Sequence, residues 1–405
     1  MELYANKNEC YGCGACENVC KLGALKLKAD EEGFLYPHID LSLCVECGKC
    51  RRACQIHNLK PRIGQEPLVF AAKNKNEEVR ARSTSGGMFF VFAEAIIQRG
   101  GAVYGVAYDK DFNVLHERVE NLEDCQKFHG SKYTQSKIGK VYAQVKEDLL
   151  LDKEVLFTGT PCQIAGLATF LGADVENKNL ILCEIICHGA PSPLMWKEHI
   201  AFIENERGSK LVAYKHRSKV NGWHGHNEHF FLENGRNEYK SKLSQNHKDL
   251  FYSHLIIRPS CYRCAYTGFP RIADISIADY WGIEQCMKDF DDNKGVSMLI
   301  LNTSKAVAFF NPLKNAVDLR ESNLEDAFRD NHKHPAKMNI NRENFWADYN
   351  KYGYSYVLRK YSSYSKFSRF KRWVKIKTKP IFKAIGLYKV IHKFTQKKYQ
   401  KDTYK

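Results

Sequence analysis

Eight cysteines within the first 54 residues repeat one rhythm twice, and no other feature constrains this chain so tightly. The first run is Cys10, Cys13, Cys16 and Cys20; the second is Cys44, Cys47, Cys50 and Cys54. Both read C-x2-C-x2-C-x3-C. That spacing wraps three thiolates around one iron–sulfur cube and sends the fourth to a neighbouring cube. Cys10, Cys13, Cys16 and Cys54 are therefore assigned to one 4Fe–4S cluster, and Cys44, Cys47, Cys50 and Cys20 to a second. Gly12, Gly14 and Gly48 suit the tight loops between them, since glycine enters left-handed conformations without a Cβ clash. Structural zinc is the rival, but zinc sites show separated C-x2-C pairs rather than two dense runs of four. Lys21 and Gln55 stand where proline often follows the fourth cysteine, which loosens a turn and removes no ligand.

At 405 residues the chain has room for two or three domains and an ample core. It carries 15 cysteines. Thiolates that hold iron need a reducing compartment, and residues 1–8 have no apolar signal core, so the expected location is cytoplasmic. No stretch approaches the roughly 20 apolar residues of a membrane span. The net charge of +16 resembles that of a nucleic-acid-binding protein until it is mapped. Residues 355–405 hold 16 of the 62 basic residues and one of the 46 acidic ones, which leaves the body almost neutral. Charge-driven partners therefore concern the tail alone, and no nucleic-acid partner is expected of the body.

Residues 1–60 read as a small α+β dicluster domain. Leu25–Leu27 and Phe34–Tyr36 form a hairpin around Gly33. Residues 60–67, with Pro61, Gly64 and Pro67, read as a linker. From Leu68 strands and helices alternate: strands at 68–72, 102–108, 114–119, 154–158 and 180–186, and helices at 86–98, 138–150, 161–171 and 193–206. Further strands are expected at 211–217, 228–232, 272–280 and 296–301. Such alternation argues an α/β fold with a mixed sheet. Residues 341–354, rich in aromatic and Asn residues, are expected to end the globular part.

Four further cysteines sit in loop-like contexts, three of them beside Pro and Gly or just after strands: Cys162, Cys187, Cys261 and Cys264. They fit either a third 4Fe–4S site or core thiols with a zinc-like pair. Cys183, in mid-strand, reads as core. Ser83, Ser85, Gly86 and Gly87 precede a long apolar helix and form a candidate phosphate cradle, the alternative being a serine cap with glycines for packing. Thr158, Gly159 and Thr160 end a strand where open α/β sheets place ligands. The polar stretch 130–136 either lines a pocket or is a solvated loop.

Taken in order, Ser83-Thr-Ser-Gly-Gly87, Gly130-Ser-Lys-Tyr-Thr-Gln-Ser136, Thr158-Gly-Thr-Pro-Cys-Gln163, Cys187-His-Gly-Ala-Pro-Ser192, Cys261-x2-Cys264 and Ala273–Gly282 resemble the family of beta subunits of the coenzyme F-420-reducing hydrogenases and dehydrogenases. The resemblance spans residues 68–330, and the head resembles a bacterial-type ferredoxin. It implies an FAD-binding α/β domain (68–340) with its own 4Fe–4S cluster on Cys162, Cys187, Cys261 and Cys264. It implies FAD contacts from Ser83, Ser85, Gly86, Gly87, Lys132, Tyr133, Gln135, Ser136, Thr158, Gly159 and Thr160. Ala278 stands where glycine is expected before Asp279-Tyr-Trp281. No residue identifies a deazaflavin site, and no catalytic acid or base is identifiable.

The implied function is an FAD- and iron–sulfur-dependent oxidoreductase that passes electrons between 4Fe–4S clusters, with a ferredoxin-like donor or acceptor, and a two-electron substrate. The alternatives are an electron-relay subunit of a larger complex and a zinc-stabilised binding module. Residues 214–229, with Tyr214, Arg217, Trp223, His224, His226 and His229, are a candidate region for an anionic or sugar substrate, the alternative being a solvated hairpin. In the tail, 341–405, apolar residues from Phe367 to Ile391 recur at helical spacing among Lys and Arg, with Pro380 splitting two short helices. That pattern suits peripheral contact with an anionic membrane face. Packing on the body and a nucleic-acid tether are the alternatives. Membrane contact would make cell-envelope polysaccharide precursors the substrate class.

Overall fold

The computed structural model describes residues 3–58, 66–331 and 333–364. The amphipathic stretch expected beyond residue 364, and most of the expected linker, lie outside those residues.

In the head, β1 (Leu25–Ala29) and β2 (Leu35–Ile39) pair antiparallel across Gly33, with Leu25 opposite Ile39. Each cysteine run enters a short helix, Ala15–Val19 or Lys49–Arg52, through a left-handed glycine cap, Gly14 or Gly48. A side chain with a Cβ would strain both caps.

The body is built on one eight-stranded sheet. In chain order its strands are β3 (Leu68–Asn74), β4 (Ala102–Tyr108), β5 (Val114–Val119), β6 (Val155–Gly159) and β7 (Leu180–Ile185). A separate three-stranded antiparallel sheet follows: β8 (Leu211–Lys215), β9 (His229–Leu232) and β10 (Asn237–Tyr239). The large sheet is completed by β11 (Ile275–Asp279), β12 (Ser297–Leu301) and β13 (Val317–Ser322). The spatial order β13-β3-β12-β11-β7-β6-β4-β5 puts four mutually parallel strands, β11, β7, β6 and β4, in the middle. Antiparallel strands close both edges. Strands β6 and β12 are buried at every position, as expected where helices cover both sheet faces.

One face is covered by the helix Met88–Gln98, whose Phe92, Ala93 and Ile96 pack with Phe310 and Leu299. The other is covered by helices Val141–Leu150 and Pro161–Leu171, and Ala15 and Ala53 of the head join that core. The first helix begins at Met88 rather than residue 86, because Gly86 is held in the loop by Ser297.

The expected end of the globular part at 341–354 is corrected. Helices Arg342–Tyr352 and Tyr354–Tyr361 bury Phe345, Trp346, Tyr354, Val357 and Leu358 against Trp196, Ile203 and Phe230. Their aromatic residues are core contacts, so the body continues through this segment. No helix among the described residues is long and apolar enough to cross a membrane.

Candidate functional site: three sulfur sets and a cavity

None of the 15 cysteines is in a disulfide, and 11 of the 12 expected ligands interact electrostatically with other members of their own sets. Cys10, Cys13, Cys16 and Cys54 face one another, and burial followed by their mutual repulsion raises the thiol pKa of Cys13, Cys16 and Cys54, that of Cys13 to about 11. They enclose a pocket of about 20 Å³ with Leu3, Tyr11 and Ile56. Cys44, Cys47 and Cys50 form the second set, of which Cys47 is solvent-exposed. Cys20 caps the helix Ala15–Val19, which packs on Lys49–Arg52, the helix that carries Cys50.

The third set is assembled by the order of the sheet. Cys162 follows β6, Cys187 follows the adjacent β7, and Cys261 and Cys264 precede β11, which is β7's other neighbour. Burial pushes Cys187 and Cys261 up to about 12, and each feels the other thiols of the set. Backbone N–H groups already point at two sulfurs: Gly189 N donates to Cys187 Sγ and Ala190 N to Cys261 Sγ, both at 3.4 Å. Arg258 N to Ala190 O (2.9 Å) and Ser192 N to Ile256 O (2.8 Å) hold these two loops together. Below them Arg271 is paired with Glu184 of β7, which also accepts from Ser276 at 2.7 Å. Four convergent thiols, sulfur-directed N–H donors and enforced burial fit a 4Fe–4S cube at this position.

Residues of the head bridge the first and third sets. Cys162 feels Cys13 directly, and Gln55 Nε2 donates to Cys162 O at 2.9 Å. Tyr11 and Tyr266 meet edge-on at 5.2 Å between the two sets. Helix Pro161–Leu171 approaches so closely that a Cβ on Gly166 would lie 2.8 Å from Cys13 Sγ. Only glycine permits that approach.

Beyond the third set opens a cavity of about 320 Å³, of a size and apolar character suited to an organic cofactor. It lies at the C-terminal ends of the parallel strands: Val106 of β4, Thr158 and Gly159 of β6, Ile185 of β7 and Ile277–Asp279 of β11 line it. Cys162, Cys187, Cys261 and Tyr11 form the wall toward the sulfur sets.

Of the residues read as FAD contacts, Ser83, Ser85, Gly87, Lys132, Tyr133, Gln135, Ser136, Thr158, Gly159 and Thr160 line this cavity. Gly86 does not. A Cβ there would lie 2.3 Å from Ala72 O, so packing against β3 demands this glycine. The Ser-Thr-Ser-Gly-Gly stretch is also more than a helix start, because Ser83 ends the helix Glu77–Arg82 and Gly87 caps the next. Several hydroxyls are committed inside the protein: Ser83 Oγ to Val79 O, Ser85 Oγ to Val296 O and Thr158 Oγ1 to Tyr104 O. Ser136 Oγ bonds His116 Nδ1 and accepts from Gln163 Nε2. Their work is to fix the loops, while the first-turn N–H groups at Met88–Phe90 lack intrahelical partners. His129, which the sequence did not single out, lines the cavity with both ring nitrogens buried and unbonded, stacked 3.7 Å from Phe90. Desolvation lowers Lys132 to about 7. The unbonded His129 imidazole, a half-buried Lys132 held by Lys127 O and His129 O at the cavity wall, and a helix start fit a phosphate-bearing aromatic cofactor such as FAD.

The candidate substrate region 214–229 is divided by the fold. Arg217 reaches the cavity, bound to Asp279 at 2.8 Å and lying 4.7 Å over Trp281, which stacks on Trp223. His226 bonds Tyr252 of the cavity wall, whereas His224 pairs with Asp291 and His229 with Asn237, away from it. His216, Glu228 and His247 are gathered in the buried layer behind Tyr133.

Residues 152–327 match the family described as the C terminus of the coenzyme F420 hydrogenase/dehydrogenase beta subunit, and residues 9–58 match the 4Fe-4S dicluster domain. Residues 152–327 thus carry the C-terminal domain of that beta-subunit family, with a dicluster domain ahead of it. The head matched to the dicluster domain implies two 4Fe–4S clusters. All eight head cysteines and all four of the third set lie inside the two matched segments, whereas the cavity wall from Ser83 to Ser136 lies outside both. The chain is 28% identical over 191 residues to a subunit of the F(420)H(2) dehydrogenase of Methanosarcina mazei, a match covering 44% of this chain and 53% of that protein. The chain thus spans about half the length of the curated relative it matches. A chain of the F420-reducing [NiFe] hydrogenase complex from Methanosarcina barkeri superposes with a TM-score of 0.45 and 16% identity, over 65% of this chain and 84% of that one.

Proposed function

We propose that this protein is an FAD-dependent iron–sulfur oxidoreductase that exchanges single electrons at its head and two electrons with a substrate in the body's cavity. Cys162, Cys187, Cys261 and Cys264 would hold a third 4Fe–4S cluster, and the Ser83–Phe90 and His129–Ser136 loops would hold FAD. When bound, FAD supplies the chemistry that joins one-electron to two-electron transfer. The observation that carries this reading is the succession of sites. An exposed sulfur set adjoins a buried one, Gln55 links the buried set to the Cys162 loop of a third, and the third forms the cavity wall.

The chain's own residues have distinct tasks here. Tyr11, Tyr266 and Gln55 fill the space between the two inner sets and keep water from it. Thr160 Oγ1 lies 3.3 Å from Cys162 Sγ, and Thr160 N donates to Gln163 Oε1 at 3.0 Å, which fixes the loop presenting that sulfur. Arg217, neutralised by Asp279 and clamped on Trp281, is a preorganised binding group for an anionic or hydroxylated substrate.

Anaerobic purification with iron, sulfide and flavin quantitation tests the reading. About twelve irons and one FAD per chain are expected, at four irons per cube. Protein without flavin, or with clusters that do not bleach bound flavin on reduction, would refute it. Because the relative from M. mazei is part of a dehydrogenase, a relay role within a complex is the second reading. Turnover by the isolated chain with an artificial donor separates the two.

A further inference from the structure

We infer that the outer end of the head is a docking face for a small acidic one-electron carrier protein, an inference that rests on the electron path proposed above. Four large apolar side chains are stranded there. Leu22 is 56% exposed, Leu41 73%, Leu43 51% and Val45 68%. Solitary exposed leucines are ordinary, but these belong to one site. Asp40 N donates to Ala24 O at 2.7 Å and Leu43 N to Asp40 O, so residues 22–24 lie beside the 40–43 turn. Val45 follows within the loop of Cys44 and Cys47. The patch therefore surrounds the second sulfur set, and Cys47 is the one exposed cysteine of the twelve.

Its rim is basic. Lys21, Lys49, Arg51 and Arg52 are all exposed, and among the described residues none of them is in an ion pair. The nearby acids are Asp40, already engaged by Ser42 N and Oγ, and Glu46. Lys49, Arg51 and Arg52 follow one another on the short helix that carries Cys50. An apolar centre over a redox site with a rim where four cations outweigh two acids, Asp40 and Glu46, is the layout of a transient electron-transfer contact. The rim steers the encounter, and the small apolar centre lets the partner leave. The free cations select an acidic surface. Electron transfer weakens steeply with distance, and among the described residues the cysteines of the other two sets are all less exposed than Cys47, so this face gives a large partner the closest approach.

The test is the reduction of anaerobic full-length holoprotein by a reduced, acidic plant-type ferredoxin, with reduced methyl viologen as a small probe that needs no docking. The variants are the triple charge reversal Lys21→Glu, Lys49→Glu and Arg51→Glu, and the separate double substitution Leu43→Ser with Val45→Ser. At low salt the charge reversal is expected to slow ferredoxin about tenfold or more and to flatten its salt dependence, with methyl viologen unaffected. The double substitution is expected to slow ferredoxin at every salt concentration. Wild-type rates with ferredoxin in both variants would overturn the proposal. So would a parent protein whose ferredoxin reaction does not respond to salt, or one that prefers a basic carrier such as cytochrome c. Failure of methyl viologen to reduce the unsubstituted protein would instead defeat the proposed electron path itself.

Discussion

Arg258 Nε donates to Cys10 O at 2.8 Å, which joins a body side chain to the first cysteine of the head across 248 residues of sequence. The same guanidinium reaches Leu35 O and Gln135 Oε1, both at 3.0 Å, and stacks 4.2 Å over Tyr36. It is almost fully buried. A charge so placed is tolerated because each face of its fork has an acceptor. Arg258 thereby sets the angle at which the head meets the body.

Arg258→Met should therefore lower stability by about 3 kcal/mol, since it deletes charged hydrogen bonds and leaves two carbonyls unpaired. Denaturant unfolding of anaerobic holoprotein measures this. A change below about 0.5 kcal/mol would mean that the head is held chiefly elsewhere, for example by the Glu32–Arg342 pair.

Cys264→Ser should reduce iron from about twelve to about eight per chain while the head clusters remain. Cys183→Ser should leave iron unchanged, because Cys183 lies within β7 among core residues. Equal iron in the Cys264 variant and the parent would remove the third site.

Gly166→Val should disturb the inner head set, because even the added Cβ would meet Cys13 Sγ at 2.8 Å. The expected cost is about 1–3 kcal/mol, as for other overpacked sites. The spectroscopic signal of one head cluster should change while the other stays. Gly172→Ala, with open space around its Cβ but positive φ, is a control for backbone strain alone.

Desolvation lowers Lys132 to about 7 from its ordinary 10.5. Between those values the unfolded chain binds a proton that the folded one does not, so stability without ligand should rise with pH through that window. Lys132→Met should flatten the rise. A bound phosphate would return the proton, so FAD affinity should fall as pH climbs above about 7. Calorimetry in buffers of different ionisation enthalpy should detect proton uptake on binding. No uptake would mean that Lys132 does not face the phosphates.

Gly86 and His129 show where reading the chain alone fell short. Gly86 sits in a phosphate-loop-like string, yet its missing side chain makes room for Ala72 O of a distant strand. His129 carried no motif, and only burial without a partner distinguishes it. The aromatic residues of 341–354 read as the end of the globular part for a similar reason, since their partners Trp196 and Phe230 lie more than a hundred residues earlier.

The order of residues by itself determined the sulfur inventory, the two dense cysteine runs of the head and the alternation that builds the sheet. Each depends on spacings of a few residues, where one helical turn or one strand pleat fixes the geometry. The tertiary structure alone decided that Cys162, Cys187 and Cys261 converge, that Cys13 abuts Gly166, and that Arg258 spans both units. Those contacts follow from placing β7 between β6 and β11. Strand order is set by how the whole core packs, and no local pattern encodes it.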